Sequence, residues 1–284
     1  MEGDYDPSHA GFLHSKLEDM QIVNPLNQDA LTLFRGEGEQ AERFPRAVGT
    51  RRVGAEFGRR IGGTVEDNDS GIFIVMASEA ADGKKSAFVM PWMTPIFCTA
   101  GIQGPNSYSS NMRIPIDNRS LMFYRLRWSY SPLEEKELNE YKHGEYYYPA
   151  LIPGSWKTRE NVANDYGVDR VAQKYFTYTG IKSFPLQDIA MMENQWGPLA
   201  DRTREHLTSM DHQIIYVRRR LLRTAKALAE GIEPSEPFHP EAYAYHTASV
   251  TLESGTLDEA LSAARAESMR MHLAPARVAP AITT

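Results

Sequence analysis

The amino-acid sequence predicts an α+β fold in which strands come first along the chain and long helices come late. Alternating apolar runs fill the region from about residue 51 to 132, and the strongest helical pattern follows residue 208. Strands followed by helices are typical of a sheet with its helices on one side. We therefore expect an antiparallel sheet that is packed on one face and partly polar on the other.

Composition narrows the class of protein. The chain has 284 residues, of which 42% are apolar and 24% charged, with a formal net charge of −6. A chain of this length can bury a large core without disulfides. Its negative net charge argues against a nucleic-acid-binding protein. No apolar run is long enough for a membrane span, and no signal peptide opens the chain, so we expect a cytoplasmic protein. The single cysteine, Cys98, excludes a cysteine-ligated cluster held by this chain alone.

The first twenty residues predict a short helix. Asp6 followed by Pro7 is a good helix start, because aspartate accepts from free N–H groups and proline fits the first turn. His9 is three residues beyond Asp6 and shares its face. His14 is five beyond His9, so the two imidazoles meet only if the helix loosens, for which Gly11 is suited. Taken alone, this pattern fits either a cap with two unrelated histidines or the start of a metal site.

The strands are predicted after a stretch of polar loops at residues 21–50. GIFIVMASEAADGKKSAFVMPWMTPIF consists of two apolar runs around Asp82-Gly83, which is a good hairpin turn. SLMFYRLRWSYSP alternates, so one face of that strand is apolar: Met122, Tyr124, Leu126 and Trp128. The other face is formed by Phe123, Arg125 and Arg127.

Two helices are predicted in the second half, after an irregular aromatic-rich segment at about 136–180. In SFPLQDIAMMENQWGPLADRTREHL, Pro185 can begin a helix that continues to Trp196, where Gly197 and Pro198 would end it.

The stretch TSMDHQIIYVRRRLLRTAKALAEG predicts the main helix, capped by Thr208 or Ser209 and ended by Gly231. Its predicted buried stripe is Ile214, Ile215, Leu221, Leu222, Ala225 and Leu228. Its polar side contains Arg218, Arg219 and Arg220, which we expect to be solvated and to form an ion pair or two. We assign 1–252 to one domain, followed at 253–284 by an amphipathic helix and a loose tail.

Two separated motifs resemble one enzyme family. Asp-x-x-His-x-x-x-x-His, here Asp6, His9 and His14, is similar to the mononuclear-iron motif that begins the catalytic domain of Rieske non-haem iron oxygenases. YTGIKSFPLQDIAMMENQWGPLADRTREHL is similar to the stretch with the third ligand, a carboxylate followed five residues later by a glutamate, here Asp188 and Glu193. The likeness is to the branch of phthalate 4,5-dioxygenase and aromatic O-demethylases, and it extends from residue 1 to about 231.

The resemblance implies a helix-grip (Bet v 1/START-like) fold, in which the antiparallel sheet wraps the long C-terminal helix. It also implies that His9, His14 and Asp188 ligate mononuclear Fe(II), leaving open positions for O2. Asp6 would be catalytic, bridging His9 and a cluster-ligating histidine of the neighbouring subunit for electron transfer. The rival carboxylate is Asp201, which we expect in a structural ion pair with Arg202 or Arg204.

The family's Rieske ligand set, Cys-x-His and Cys-x-x-His, is missing from this sequence. We therefore expect the catalytic domain of a longer oxygenase, inactive until a [2Fe-2S] Rieske cluster is supplied by another domain. The implied partners are the Rieske domain of a neighbouring subunit in a homotrimer and a reductase that delivers electrons from NAD(P)H. No nucleic-acid or membrane partner is expected.

The substrate class implied by the resemblance is an aromatic acid or a methoxylated aromatic, which would be dihydroxylated or O-demethylated. An acid would favour an arginine near the iron, and Arg35, Arg113 and Arg125 are candidates by residue type only. His206 and His212 fit capping or surface positions, and the tyrosines at 146–148 fit a cavity or a subunit contact. Two alternatives stay open: a helix-grip module that binds small ligands without catalysis, and a metal-dependent hydrolase using zinc.

Overall fold

The computed structural model describes residues 2–6, 9, 13–14, 59–79, 82–104, 107–129, 132–175 and 177–270. The strands are β1 (Arg59–Asp67), β2 (Gly71–Glu79), β3 (Lys85–Met93), β4 (Phe97–Gly104), β5 (Ser107–Pro115), β6 (Leu121–Ser129) and β7 (Ala248–Leu252). The helices are α1 (Glu135–His143), α2 (Arg170–Tyr175), α3 (Phe184–Glu193), α4 (His212–Ala229) and α5 (Leu257–Arg270).

Several sequence predictions fall outside the described residues. These are Pro7 and Gly11 in the first helix, the loops at 21–50 with Arg35, the strand start at 51–58 and the tail at 271–284. Within the predicted first helix, Glu2–Asp4 form a 3₁₀ turn and His9 and Leu13 are helical.

The strands form one antiparallel sheet in the order β1-β2-β3-β4-β5-β6. The predicted hairpin at Asp82-Gly83 is confirmed, because β2 and β3 pair in register from Gly71–Met93 to Glu79–Lys85 and Gly83 has φ +85°. One edge of β3 is shared by two strands: its first half pairs with β7 and its end pairs with β4. The sheet therefore includes a strand that comes from the far end of the chain.

The centre of the sheet is buried on both faces, which differs from the one-sided packing expected. Ile72, Ile74 and Trp92 face a core that includes Ile214 and Val217 of α4. On the opposite face, four further β2 and β3 side chains and two alanines of α5 form a second core: Phe73, Val75, Ala87, Val89, Ala260 and Ala264. A continuous apolar run such as GIFIVMA fits a strand covered on both sides better than a half-exposed one. The α+β helix-grip expectation is confirmed, with α4 held against the sheet.

The alternation predicted for β6 is confirmed, but its apolar face is the exposed one. Tyr124 and Leu126 are 45% and 47% exposed. The face with Phe123, Arg125 and Arg127 points inward instead, where both guanidinium groups lie over aromatic rings. Arginine stems and aromatic rings can line an interior when the charged ends find partners there.

The C-terminal end of α3 and the start of α4 differ from the prediction. Helix α3 contains Pro185 in its first turn, as expected, but it ends at Glu193, so Trp196 lies beyond it with φ +61°. Helix α4 is preceded by a 3₁₀ turn, and Asp211 rather than Thr208 or Ser209 occupies the capping position.

The buried stripe of α4 is shorter than predicted. Gln213, Ile214 and Val217 are buried, all in the first half of the helix, whereas Leu222 and Leu228 are 62% and 52% exposed. The reason is that the described core contacts α4 as far as Leu221 and does not cover Leu222 or Leu228. The end is as predicted, since the Ile232 amide donates to the Ala227 carbonyl across Gly231 (φ +85°). None of the helices in the described part of the chain has the length and apolar character needed to cross a bilayer.

Val217→Ala should therefore destabilise the protein by about 2 kcal/mol, because it removes two buried methyl groups and leaves a cavity. The free energy of unfolding, measured with urea, checks this. Leu222→Ala is the matched control on the same helix and should change it by less than about 0.5 kcal/mol. Equal losses for both variants would contradict the packing of α4 described here.

Candidate metal centre

Helix α3 places Asp188 at the site. One side of the helix packs Leu186 and Ala190 against a small core that includes Tyr166 and Ile181. This packing fixes the rotation of the helix and leaves Asp188 on a partly open side, 25% exposed. Because the helix is short, its orientation depends on these tertiary contacts more than on its own propensity.

Three side chains predicted to act together converge here. The Nε2 atoms of His9 and His14 lie 3.4 and 3.1 Å from Asp188 Oδ1. One potential ligand atom from each of the three residues lies within 4.8 Å of the other two, and the imidazole rings are T-shaped with centroids 5.2 Å apart. Two imidazoles and one carboxylate in this arrangement can occupy one face of a divalent metal ion.

The remaining ring nitrogens are already occupied. His9 Nδ1 is 2.7 Å from the Asp6 carbonyl oxygen, and His14 Nδ1 is 2.8 Å from Gln187 Oε1. The amide orientation of Gln187 is fixed because its Nε2 donates to the Ile181 carbonyl at 2.8 Å. Both partners are acceptors, so each Nδ1 must donate a proton and each Nε2 is left to bind a metal. The donor set therefore fits a metal ion in type and in tautomer.

Electrostatics couples the three groups. Burial lowers the pKa of His9, but hydrogen bonds to Asp188 and Asp6 and their negative charges outweigh burial and raise this pKa to about 10. Burial likewise opposes ionisation of Asp188, yet hydrogen bonds from His14 and His9 hold the pKa of its carboxyl well below its usual range. The two imidazoles and the carboxylate therefore stabilise opposite charges on one another.

Asp6 lies beside His9 as the spacing predicts. Its backbone carbonyl accepts the proton of His9 Nδ1, and its carboxylate oxygen Oδ2 lies 3.5 Å from the same nitrogen. The side chains of His9 and Asp6 are each 23% exposed, so this side of the centre is accessible from outside. His14 is more enclosed at 7% and stacks on Phe184 with a centroid distance of 3.9 Å.

A buried ion pair fixes the segment that precedes the histidines. Asp4 accepts hydrogen bonds from the guanidinium of Arg113 and, at 2.9 Å, from the Asn111 amide, both on β5. The side chains of Asp4 and Arg113 are only 9% and 8% exposed. Low exposure and several hydrogen bonds make this pair far more restrictive than a surface ion pair.

The same segment is tied to α4. Tyr5 is buried in the core, and its carbonyl accepts from Gln213 Nε2 at 3.1 Å. Arg218 donates to both carboxylate oxygens of Glu2, at 2.5 and 2.6 Å, and also to Glu205. The segment that leads into His9 and His14 is therefore held between the sheet and α4.

The other residues that the sequence analysis singled out have different surroundings, and Arg125 is the candidate arginine nearest to His14 among those described. Arg125 lies over the Phe184 ring at 5.8 Å, one ring from His14, whereas Arg113 is the structural partner of Asp4. Glu193 accepts from Tyr166 Oη at 2.7 Å. The buried thiol of Cys98 lies on β4 in the core.

The prediction that Asp201 forms an ion pair with Arg202 or Arg204 is wrong. Asp201 instead caps a 3₁₀ turn, since its Oδ1 accepts from the amide and hydroxyl of Thr203 at 3.0 and 2.7 Å. Arg202 pairs with Glu205, and Arg204 lies over the Trp196 ring. A short aspartate next to a turn satisfies local N–H groups more readily than it reaches a flexible arginine.

The surface and tyrosine expectations are consistent with the structure. His206 is exposed, and His212 begins α4, where its Nδ1 lies 3.3 Å from the Ser209 carbonyl. Tyr147 is buried, and Tyr146 packs near Phe184 with a centroid distance of 6.1 Å. The expected ion pairs of the α4 arginines form, with Arg218 as above and Arg220 bound to Asp67 and Glu236. The expectation that these arginines are solvated is wrong, since Arg218 and Arg220 are each only 17% exposed.

Sequence reasoning missed Gln187, Phe184 and Arg127. Gln187 is adjacent to Asp188 and buried, and a buried amide beside a predicted ligand was the available signal. Phe184 and Arg127 gave no local signal, because their roles depend on partners far along the chain.

Comparison with known proteins gives two matches. Residues 75–250 match the family model described as "LigXa C-terminal domain like". Over 150 residues the chain is 32% identical to the phthalate 4,5-dioxygenase oxygenase subunit of Pseudomonas putida, covering 52% of this chain and 32% of that protein. The chain thus spans about a third of the length of that curated relative. The two matches confirm the resemblance to the catalytic C-terminal domain of a ring-hydroxylating oxygenase.

Asp4→Ala should lower the free energy of unfolding by about 3 kcal/mol, because Arg113 would remain buried without its counter-ion. Urea unfolding measures this. Glu267→Ala removes the partner of an Arg270 that is 75% exposed and should change the same quantity by less than about 0.5 kcal/mol. If the two variants lose equal stability, the buried pair does not anchor the N-terminal segment.

Proposed function

Because the chain belongs to the LigXa C-terminal domain-like family, we propose that it is the catalytic domain of a Rieske-type oxygenase. In this proposal His9, His14 and Asp188 hold mononuclear Fe(II), and the substrate is an aromatic acid or a methoxylated aromatic. The principal supporting observation is that three potential ligand atoms of these residues converge within 4.8 Å while both Nδ1 atoms are engaged elsewhere. Bound there, Fe(II) would supply open coordination positions at which O2 can react beside the substrate.

The chain's own residues do the positioning. The Asp6 carbonyl and Gln187 orient the two rings, and Phe184 covers His14 on one side. His9 and Asp188, 23% and 25% exposed, leave the other side open. Enclosure on one side and access on the other suit a metal that must accept both a gas and a ring substrate.

We further propose that Asp6 links this centre to its electron source. The source would be a [2Fe-2S] Rieske cluster on a neighbouring subunit, reduced from NAD(P)H by a reductase, in a homotrimer. Supporting this, Asp6 contacts His9 and its side chain is 23% exposed, so a neighbour could reach it. Asp6→Asn should then retain iron and lose turnover when that cluster is supplied.

Metal analysis of protein purified without oxygen tests the function. One iron per chain is expected. Stoichiometric zinc would favour the hydrolase, and a metal-free protein that cannot be loaded would favour the non-catalytic binding module; either result overturns the proposal.

Asp188→Ala should abolish iron retention, because it removes the single carboxylate of the ligand set. Asp201→Ala is the matched control, since Asp201 caps a turn next to Thr203, and it should retain full iron. Iron per chain is measured after anaerobic loading and desalting. Full iron in the Asp188 variant would show that the third ligand is misassigned.

Gln187→Leu should weaken Fe(II) binding by roughly 10- to 100-fold, because His14 loses the acceptor that fixes its tautomer. Competition with a chelator gives the affinity. Gln195→Leu, on an exposed residue just after α3, should leave the affinity unchanged. A thermal melt of each variant separates a loss of metal from a loss of folding, and an unchanged affinity in a folded Gln187 variant would refute this role.

A further inference from the structure

One face of α3 makes three contacts with His14. Phe184, Gln187 and Asp188 lie at positions i, i+3 and i+4 of the helix, so they share that face. The His14 ring stacks on Phe184 at a centroid distance of 3.9 Å. Its Nδ1 is 2.8 Å from Gln187 Oε1, and its Nε2 is 3.1 Å from Asp188 Oδ1. A rotation of α3 about its axis would therefore change all three contacts together.

Tyr166 holds the opposite face of the same helix. Leu186, Ala190 and Glu193 lie at positions i, i+4 and i+7, so they share this second face. The buried Tyr166 ring belongs to one core with Leu186 and Ala190. Its hydroxyl donates to Glu193 Oε2 at 2.7 Å and accepts from Asn194 Nδ2 at 3.2 Å. This tyrosine thus contacts α3 from its first turn to its C-terminal end.

The backbone that presents Tyr166 is left-handed over three consecutive residues. Asp165, Tyr166 and Gly167 have φ of +53°, +54° and +64°. This conformation is easy for glycine and unfavourable for a residue with a Cβ, above all for a bulky tyrosine. Asn161 supports the turn, because its carbonyl accepts from the Tyr166 amide at 2.8 Å. Strained backbone of this kind persists only where the surrounding structure over-determines it, and it is concentrated at functional sites.

The strained turn supplies a restraint that apolar packing alone does not. Packing against Leu186 and Ala190 sets the approximate rotation of α3, because apolar contacts are not directional. The hydrogen bond from Tyr166 to Glu193 is directional and adds a restraint at the end of the helix. Because α3 has only ten residues, such tertiary contacts decide its orientation.

We infer that Tyr166 is a positioning residue of the candidate metal centre. Its hydroxyl, aimed at Glu193 by the left-handed turn, holds the rotation at which α3 presents its opposite face to His14. The inference rests on the proposed function and extends it, because Tyr166 acts on the ligand set through α3. Groups that orient metal ligands in this way affect metal affinity without binding the metal themselves.

Tyr166→Phe tests the inference, because it keeps the buried ring and removes only the hydroxyl. Co(II), whose visible spectrum depends on the geometry of its ligands, is titrated into the metal-free full chain. The variant should bind Co(II) roughly tenfold more weakly and change the spectrum of the bound ion. Without metal, it should shift the NMR signal of the His14 Nδ1 proton, because the hydrogen bond to Gln187 changes. Glu193→Gln keeps an acceptor oxygen and should give smaller changes.

Tyr243→Phe is the matched control. The Tyr243 hydroxyl donates to the Thr94 carbonyl at 2.9 Å, an acceptor outside α3. Urea unfolding measures the stability that each variant loses with its hydroxyl. Tyr243→Phe should lose stability and leave the Co(II) affinity, the spectrum and the His14 signal unchanged.

Two outcomes would overturn the inference. If Tyr166→Phe has the wild-type Co(II) affinity, spectrum and His14 signal, Tyr166 is a core residue only. If Tyr243→Phe changes these quantities as strongly, they report a general loss of packing.

The wild-type titration reads the proposed function separately. A wild-type chain that binds no metal, together with a Tyr166→Phe variant that still shifts the His14 signal, refutes the metal assignment and supports the positioning role. A chain that binds metal but is indifferent to the Tyr166 hydroxyl refutes this inference alone.

Discussion

The ion pair between Asp4 and Arg113 is the constraint on which the candidate site depends. Two of the three convergent side chains lie within the first fourteen residues, and the third is delivered by a helix near residue 188. Such an arrangement is stable only if the segment before His9 is fixed in the fold. The buried pair fixes it to β5, and the contacts of Glu2 and Tyr5 fix it to α4. The site is therefore a product of tertiary structure, although its residues were visible in the sequence.

At the site, uncharged acceptors orient the imidazole rings, and a charged group, Asp188, sets the electrostatics. A carbonyl and an amide oxygen set the orientation of the imidazoles without adding charge. Asp188 supplies the negative charge that both imidazoles contact, at 3.4 and 3.1 Å. Arg125 and Arg127 on β6 lie over aromatic rings, and the Phe184 ring stands between Arg125 and His14. Aromatic packing thus separates these cations from the three convergent side chains.

Much of the fold and of the site follows from the sequence, because both have local signatures. The Asp82-Gly83 hairpin and the end of α4 at Gly231 depend on backbone preferences that neighbouring residues reveal. The exposure of Leu222 and the inward arginines of β6 could not be predicted, because each depends on which face another element covers. Asp201 shows a different error: an ion pair with a neighbouring arginine was expected, and the carboxylate caps the adjacent 3₁₀ turn instead.

The contact between His14 and Gln187 spans 173 positions of the chain. Contacts of such long sequence separation form late in folding, because the intervening chain must first be closed into a loop. His14 is therefore oriented only after α3 has been made and packed against its own core. The two candidate imidazoles and Asp188 thus come together in one late step, and their geometry is a sign that the whole domain has folded.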